Sequence, residues 1–257
     1  MKHGDFSGLA ENYSKYRPGY SGMVVDLVCK AVSNSFPETE AIRAVDAGAG
    51  TGIFSRMLAN KGIRVTAVEP NEDMRTHGIE DCKDTNISYV NGSAEETGLE
   101  ANCCELVTMA SSFHWPDFDR ATTEFSRLLK SGGYFLALWN TRAVERDPFT
   151  KDVEEYLHKL LPNLKRKSSG RSEFCDNLHS RLSECGCFDD VVYLEGFHVE
   201  QQSQERYIGL WNSVNDIRVQ AGEDRFNEFM TYIGKESSKI DHINAHYQTR
   251  AWLARCR

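Results

Sequence analysis

Val45-Asp46-Ala47-Gly48-Ala49-Gly50-Thr51-Gly52 is the stretch that decides the fold. A short apolar run leads into it, and Phe54, Met57 and Leu58 follow at helical spacing, so the segment reads as strand, glycine turn and helix. Glycines at alternate positions admit positive φ and carry no Cβ, which lets the backbone turn sharply and approach a ligand closely. A dinucleotide fingerprint needs G-x-G-x-x-G to seat a pyrophosphate. Here the third glycine comes one position early and is followed by Ile53. The carboxylate of Asp46 would also repel a pyrophosphate and suits a cationic amino-acid ligand better.

Outward from this turn, apolar runs at 44–47, 65–68, 87–90, 106–110 and 134–139 alternate with helical stretches, the pattern of βαβ units feeding a parallel sheet. Ala121, Phe125, Leu128 and Leu129 mark one such helix, and Lys130-Ser131-Gly132-Gly133 stops it and turns into a strand. Residues 191–194 read as a sixth strand and 246–253 as a closing one. Helices are expected over 23–32, 147–161 and 172–184, with a mostly helical insertion over 203–235. The fold expected is therefore α/β and Rossmann-like: a mostly parallel seven-stranded sheet with helices on both faces and a helical lid and cap. Three parts follow: an N-terminal lid and first helix (1–40), a binding core (41–140), and a C-terminal half of the sheet with cap insertions (141–257), all within one catalytic domain.

Glu69 ends the second apolar run, 23 positions after Asp46. An acidic residue there is placed to accept hydrogen bonds from both hydroxyls of a ribose. The chain has 257 residues, 40% hydrophobic and 26% charged, enough to bury a full core. A net charge of −8 argues against a nucleic-acid partner, which needs clustered Lys and Arg to displace phosphate counterions. The basic run at 165–171 reads as solvated loop. No uninterrupted apolar stretch approaches the ~20 residues that span a bilayer, and residues 1–8 carry no apolar signal core, so a soluble cytoplasmic protein without membrane association is expected. Eight scattered cysteines fit reduced thiols. Cys175, His179, Cys185 and Cys187 have zinc-ligand types but lack paired C-x2-C arms, so no metal is expected.

These residues resemble the class I S-adenosylmethionine-dependent methyltransferases. Asp46 to Gly52 looks like their first motif, with Asp46, Ala47, Gly48, Gly50 and Gly52 as cofactor positions, and Glu69 looks like their acidic second motif. Pro70-Asn71-Glu72-Asp73-Met74 resembles the segment after the ribose carboxylate, with Met74 against adenine. Gly92-Ser93-Ala94-Glu95 resembles the loop whose backbone meets the adenine edge. Residues 106–115, containing Ser111, are similar to the fourth motif, and Leu128 to Gly133 to a turn usually written L-K-P-G-G, with Ser131 in place of proline. Ala10-Glu11-Asn12-Tyr13 and Tyr16-Arg17-Pro18-Gly19-Tyr20 look like the lid of small-molecule members related to trans-aconitate methyltransferase. The resemblance covers roughly residues 6–140.

It implies S-adenosylmethionine as cofactor, S-adenosylhomocysteine as product, and in-line transfer to an O, N or carboxylate nucleophile of a small molecule. Alignment alone can supply roughly 7 to 11 kcal/mol, so no dedicated base is obligatory. His114, just past the fourth strand, is the candidate if a base is used, and the alternative is that His114 and Trp115 line or close the pocket. Arg17 is placed to meet the cofactor carboxylate, with Tyr13 and Tyr16 folding over its methionine end. Trp139, Asn140, Arg142 and Trp211 are candidate substrate contacts, and Tyr207 a candidate cap residue. Rival readings are an RNA methyltransferase, a non-catalytic module that senses S-adenosylmethionine or S-adenosylhomocysteine, and a nicotinamide-dependent oxidoreductase, the last disfavoured by the glycine spacing.

Overall fold

A computed structural model of the chain describes residues 10–165 and 170–257. The front of the expected lid, before Ala10, and residues 166–169 of the basic run lie outside the described residues. In chain order the elements are α1 (Ala10–Tyr16), α2 (Gly22–Ser35), β1 (Arg43–Ala47), α3 (Ile53–Ala59), β2 (Arg64–Val68), α4 (Glu72–Cys82), β3 (Ile87–Val90), β4 (Cys104–Ala110), α5 (Phe118–Leu128) and β5 (Leu129–Arg142). There follow α6 (Pro148–Leu160), α7 (Glu173–Asp176), α8 (Leu178–Glu184), β6 (Phe188–Gln202), α9 (Gln204–Asn212), α10 (Asn215–Ser237) and β7 (Ile243–Cys256).

The seven strands form one sheet in the order β3-β2-β1-β4-β5-β7-β6. The first five are parallel, β7 runs antiparallel to β5, and β6 antiparallel to β7. After β3 the chain returns to the other side of β1, so the crevice between β1 and β4 is a topological switch point, where open α/β sheets place ligands. The central strands are buried on both faces, and adjacent residues divide between two cores. Ala44, Leu106, Leu136 and Leu138 pack under α2 and α3 with Val24, Val28, Phe54 and Leu58. Val45, Val107, Phe135 and Ala137 pack under α5 and α8 with Phe125, Leu128 and Leu182. This period of two explains why the strands read as continuous apolar runs.

A third core joins α6, α9 and α10 through Val153, Leu157, Trp211, Phe229 and Ile233, and makes the cap a packed unit. Lid helix α1 docks on that cap. The Tyr16 ring lies so close to Gly209 that a Cβ there would stand 2.3 Å from it, and Arg17 donates to both the hydroxyl and the carbonyl of Ser213 at 2.9 Å.

Several boundaries differ from expectation. The helix expected over 172–184 breaks at Asn177 into α7 and α8. β5, β6 and β7 run well past their apolar cores because each finds an antiparallel partner whose backbone continues the ladder. Residues 130–133 belong to β5, entered through Gly132 at φ 75°, with a shift in register against β4 between Cys104 and Leu106. Among the described residues no helix is long and apolar enough to cross a membrane, and no group of three or more His, Cys, Asp or Glu side chains is arranged to hold a metal ion. None of the eight cysteines, all within the described residues, forms a disulfide.

Candidate active site

At the carboxyl end of β1 the backbone turns through Gly48, Gly50 and Gly52 at φ of 65°, 57° and 79°, left-handed values that side chains rarely adopt. A Cβ on Gly48 would lie 2.9 Å from Ser112 Oγ, and one on Gly52 2.5 Å from the Tyr89 hydroxyl. The turn is pinned to β2. Gly48 and Ala49 N–H groups donate to the Val68 carbonyl at 2.9 and 3.2 Å. Glu69 takes the next donors: Gly50 N–H to Oε2 at 2.8 Å and Asn71 N–H to Oε1 at 2.9 Å. Each carboxylate oxygen keeps a lone pair for a hydroxyl. Burial pushes the Glu69 carboxyl up from its ordinary range, against those two N–H donors.

The structure corrects the expectation that Asp46 faces the ligand. Its side chain points below the loop, fully buried, where Ser55 Oγ of α3 donates to Oδ2 at 2.6 Å and Thr108 Oγ1 of β4 to Oδ1 at 2.8 Å. It therefore ties α3 and β4 to β1 under the glycine turn. Burial pushes its carboxyl up to about 6, and nearby Glu69 adds to that. Ala47, in the core, and Gly52, the residue that opens α3, likewise do not line the cavity, since strand alternation and the helix start turn them away from it.

Above the loop lies a cavity of about 690 Å³. Gly48, Ala49, Gly50 and Glu69 form one wall, and Pro70, Met74, Ser93, Ala94 and Glu95 continue it. This wall offers a glycine cradle, a carboxylate with spare lone pairs and the apolar sides of Pro70, Met74 and Ala94, and its charges, Glu69 and Glu95, are acidic. Such a set fits a nucleoside carrying a cationic tail. Tyr13 and Arg17 of the lid line the cavity, and the Arg17 guanidinium stands over the Tyr13 ring at 4.8 Å. Ser111 follows β4 at φ 57°, strained for a residue with a side chain, and its hydroxyl lies 2.9 Å from that of Tyr20. Burial pushes the Tyr20 phenol well above its usual range, so it stays a hydroxyl.

On the opposite side, Asn140 and Arg142 reach the cavity from β5. Asn140 Nδ2 also donates to the Gly19 carbonyl at 2.9 Å, which anchors the expected hinge of the lid. Trp115 lines the cavity and is 43% exposed. Four other candidates do not line it. Tyr16 packs on Gly209 and donates to Glu205 Oε1 at 3.0 Å. Trp139 is buried in the core under α5 and α8, and Trp211 in the core of the cap, where strand and helix periodicity turn them inward. Tyr207 is buried beside Trp211.

His114 also sits behind the wall. Its Nδ1 accepts from Trp139 Nε1 at 3.4 Å, the Trp115 ring lies tilted against it with centroids 4.4 Å apart, and burial pushes its imidazole down to about 4. So weak a base, with its accepting nitrogen engaged by Trp139 and no place in the cavity lining, reads as structural support behind the wall. The sequence reading missed Glu154, Leu157 and His158, which line the cavity from α6. Their i, i+3, i+4 spacing on one helix face was the available signal. Arg171, Leu210 and Tyr247 line it too, and the basic run that contains Arg171 reads in sequence as solvated loop.

A doubly wound sheet with a carboxylate beside a glycine turn, at its switch point, and a helical cap over the same cavity is the architecture of an α/β protein with an enclosed small-ligand site. Residues 45–137 match the methyltransferase domain family. A sarcosine/dimethylglycine N-methyltransferase of Halorhodospira halochloris is 37% identical over 206 residues, 77% of this chain and 67% of that protein. The chain belongs to the S-adenosylmethionine-dependent methyltransferase family. An uncharacterised methyltransferase of Mycobacterium tuberculosis is 31% identical over 152 residues, and that match spans 59% of this chain and 58% of the relative's own length. In fold, the chain is similar to a proposed type II methyltransferase from Anaeromyxobacter dehalogenans, with a TM-score of 0.63 and 21% identity, covering 94% of this chain and 98% of the other.

Proposed function

We propose that this chain transfers the methyl group of S-adenosylmethionine to a small-molecule acceptor inside the capped cavity. The carrying observation is that one cavity of about 690 Å³ runs from the Gly48–Gly50 turn and Glu69 to Asn140, Arg142 and Glu154 under the roof of α1, α6 and α9. That volume is of the size that holds small ligands, and the roof leaves the acceptor wall inside the molecule rather than on a surface open to a polymer.

Bound S-adenosylmethionine supplies a methyl group on a positively charged sulfur, which an acceptor lone pair takes in line as the carbon–sulfur bond breaks and its electrons return to sulfur. This chain's residues align and desolvate the pair. Glu69 holds the ribose hydroxyls, the backbone of Gly48 to Gly50 accommodates the close approach, and Met74 and Ala94 offer apolar surface to adenine. Arg17 and Tyr13 stand at the methionine end, with Arg17 fixed in direction by Ser213. The paired hydroxyls of Tyr20 and Ser111 project between the two halves and can hydrogen-bond either neighbour.

Parallel calorimetric titrations with S-adenosylmethionine, S-adenosylhomocysteine and NAD test the cofactor half. Binding of the first two without the third is the expected result. Labelled methyl transfer is then compared between a dialysable metabolite fraction and tRNA, with label expected in the small molecules. NAD binding alone, or transfer confined to tRNA, would refute the proposal.

A further inference from the structure

Five strands present residues to the cavity in the order of the sheet. Glu69 follows β2, Gly48 follows β1, Ser111 follows β4, Asn140 lies near the end of β5, and Tyr247 near the start of β7. Ser111 stands in the middle of that row, two steps of about 4.8 Å across the sheet from the strand that presents Glu69. S-adenosylmethionine held by its ribose at Glu69 and crossing the glycine turn brings its sulfur towards the end of β4, where the two halves of the cavity meet.

The Ser111 hydroxyl meets that of Tyr20 at 2.9 Å, either one able to donate, and neither has another hydrogen-bond partner among the described residues. One proton and further lone pairs therefore remain for whatever fills the cavity, and both residues are only half-buried. The pair is held from both sides. The Tyr20 ring packs edge-on against Phe54 with centroids 5.3 Å apart, and its N–H donates to Met57 Sδ at 3.3 Å. Ser111 N–H donates to the Leu138 carbonyl at 2.7 Å, which holds the residue at φ 57°. A residue with a side chain keeps such a backbone only where its surroundings over-determine it, and positions of this kind cluster at ligand sites.

We infer that Tyr20 is a specificity-determining residue: its phenol oxygen, aimed by Ser111, contacts the sulfonium of S-adenosylmethionine and favours it over the neutral thioether of S-adenosylhomocysteine. The inference rests on the methyltransferase reading above. A cation beside the pair turns the Tyr20 proton towards Ser111 and leaves the phenol's lone pairs facing the positive charge, an attraction strengthened where water is excluded. Burial keeps the phenol protonated, so it acts as a dipole and takes no proton from the acceptor. Once the methyl group has left, the charge is gone, and a thioether sulfur is only a weak acceptor for the phenol's proton. The contact holds the substrate form of the cofactor and lets the product form go. Glu69 and Glu95 also attract a cation, but both stay in place when Tyr20 is changed, so the comparison isolates the phenol.

The test titrates the full chain, without acceptor, with S-adenosylmethionine and with S-adenosylhomocysteine by calorimetry, and compares the ratio of the two dissociation constants between native and Tyr20→Phe protein. The ring and its packing on Phe54 survive the substitution. S-adenosylhomocysteine should therefore bind within about twofold of native, while S-adenosylmethionine should weaken about tenfold, the scale of a hydrogen-bonding group set against a charge. Ser111→Gly suits φ 57° and keeps the turn, but deletes the hydroxyl that aims the phenol, and should lower the preference severalfold in the same direction. A ratio unchanged in Tyr20→Phe, whether both affinities hold or both fall together, would overturn the inference while leaving the methyltransferase reading intact. Should Tyr20→Phe fail to fold, a native ratio in Ser111→Gly would overturn it equally. A native chain that binds neither ligand would overturn the methyltransferase reading and this inference with it.

Discussion

Replacing Asp46 by Asn removes a buried charge while keeping the side chain's shape, and the site sets the size of the effect. The carboxyl is fully buried and titrates at about 6 in the folded chain, against an ordinary value of 3.8. That upward shift of about two units corresponds to about 3 kcal/mol at 1.36 kcal/mol per unit. Between about pH 4 and about pH 6 the folded chain binds more protons at this group than the unfolded chain does. Stability falls as pH rises through that window and stays lowered above it. The substituted amide has no proton to lose in this range, and the Ser55 and Thr108 hydroxyls can rotate to accept from its NH2 group.

The stability of Asp46→Asn minus that of the native chain should therefore grow by about 3 kcal/mol from about pH 4 to about pH 7. His114, whose imidazole is held down at about 4, contributes with the opposite sign: its stabilisation is lost as pH falls from about 6.5 towards 4. Both proteins carry His114, so its contribution cancels in the difference. Urea unfolding followed by far-UV circular dichroism across this range, without cofactor, is the assay. The expected divergence is on the order of 1 M in midpoint, for a urea slope near 3 kcal/mol/M. A constant difference across the window would refute the buried, proton-linked placement of Asp46.

Glu69→Ala should weaken S-adenosylhomocysteine binding by roughly 1.5 to 3 kcal/mol in calorimetry, and equal affinity in a folded variant would remove Glu69 from the site. Gly52→Ala places a side chain at φ 79° and 2.5 Å from the Tyr89 hydroxyl. The left-handed backbone alone costs about 1–2 kcal/mol, so thermal unfolding should move down by several degrees, and an unchanged midpoint would contradict the turn geometry. His114→Phe should keep turnover within about threefold and leave the pH–rate profile intact, whereas a loss on the order of a hundredfold would restore the general base. Arg17→Ala should loosen the lid from Ser213 and weaken cofactor binding, read in the same titration, and native affinity would show that the lid closes without it.

Much of the site follows from local sequence. The run from Val45 to Gly52 combines a strand period with three glycines, and the structure turns at all three of them. Glu69, Met74 and Ala94 each follow a parallel strand at the edge where the sheet opens, so their place in the cavity follows from strand order alone. The direction of a side chain one residue away from such an end does not. Asp46 and Trp139 belong to segments correctly assigned to strands, yet both point into the packing beneath the loops rather than into the cavity. A one-residue change of parity reverses the face, and composition carries no mark of it when both faces are apolar.

By itself the sequence determined the sheet's class, the glycine turn and the acidic partner, because each depends on contacts between residues near in the chain or on a period repeated along it. Tertiary structure alone decided the cavity wall opposite the glycine turn. Glu154 from α6, Arg142 from β5, Arg171 at the end of the basic run and Tyr247 from β7 meet only because β7 inserts antiparallel between β5 and β6 and carries the cap back over the crevice. Such long-range pairings are set by the summed burial of three separate cores, a property of the folded whole that no single segment carries.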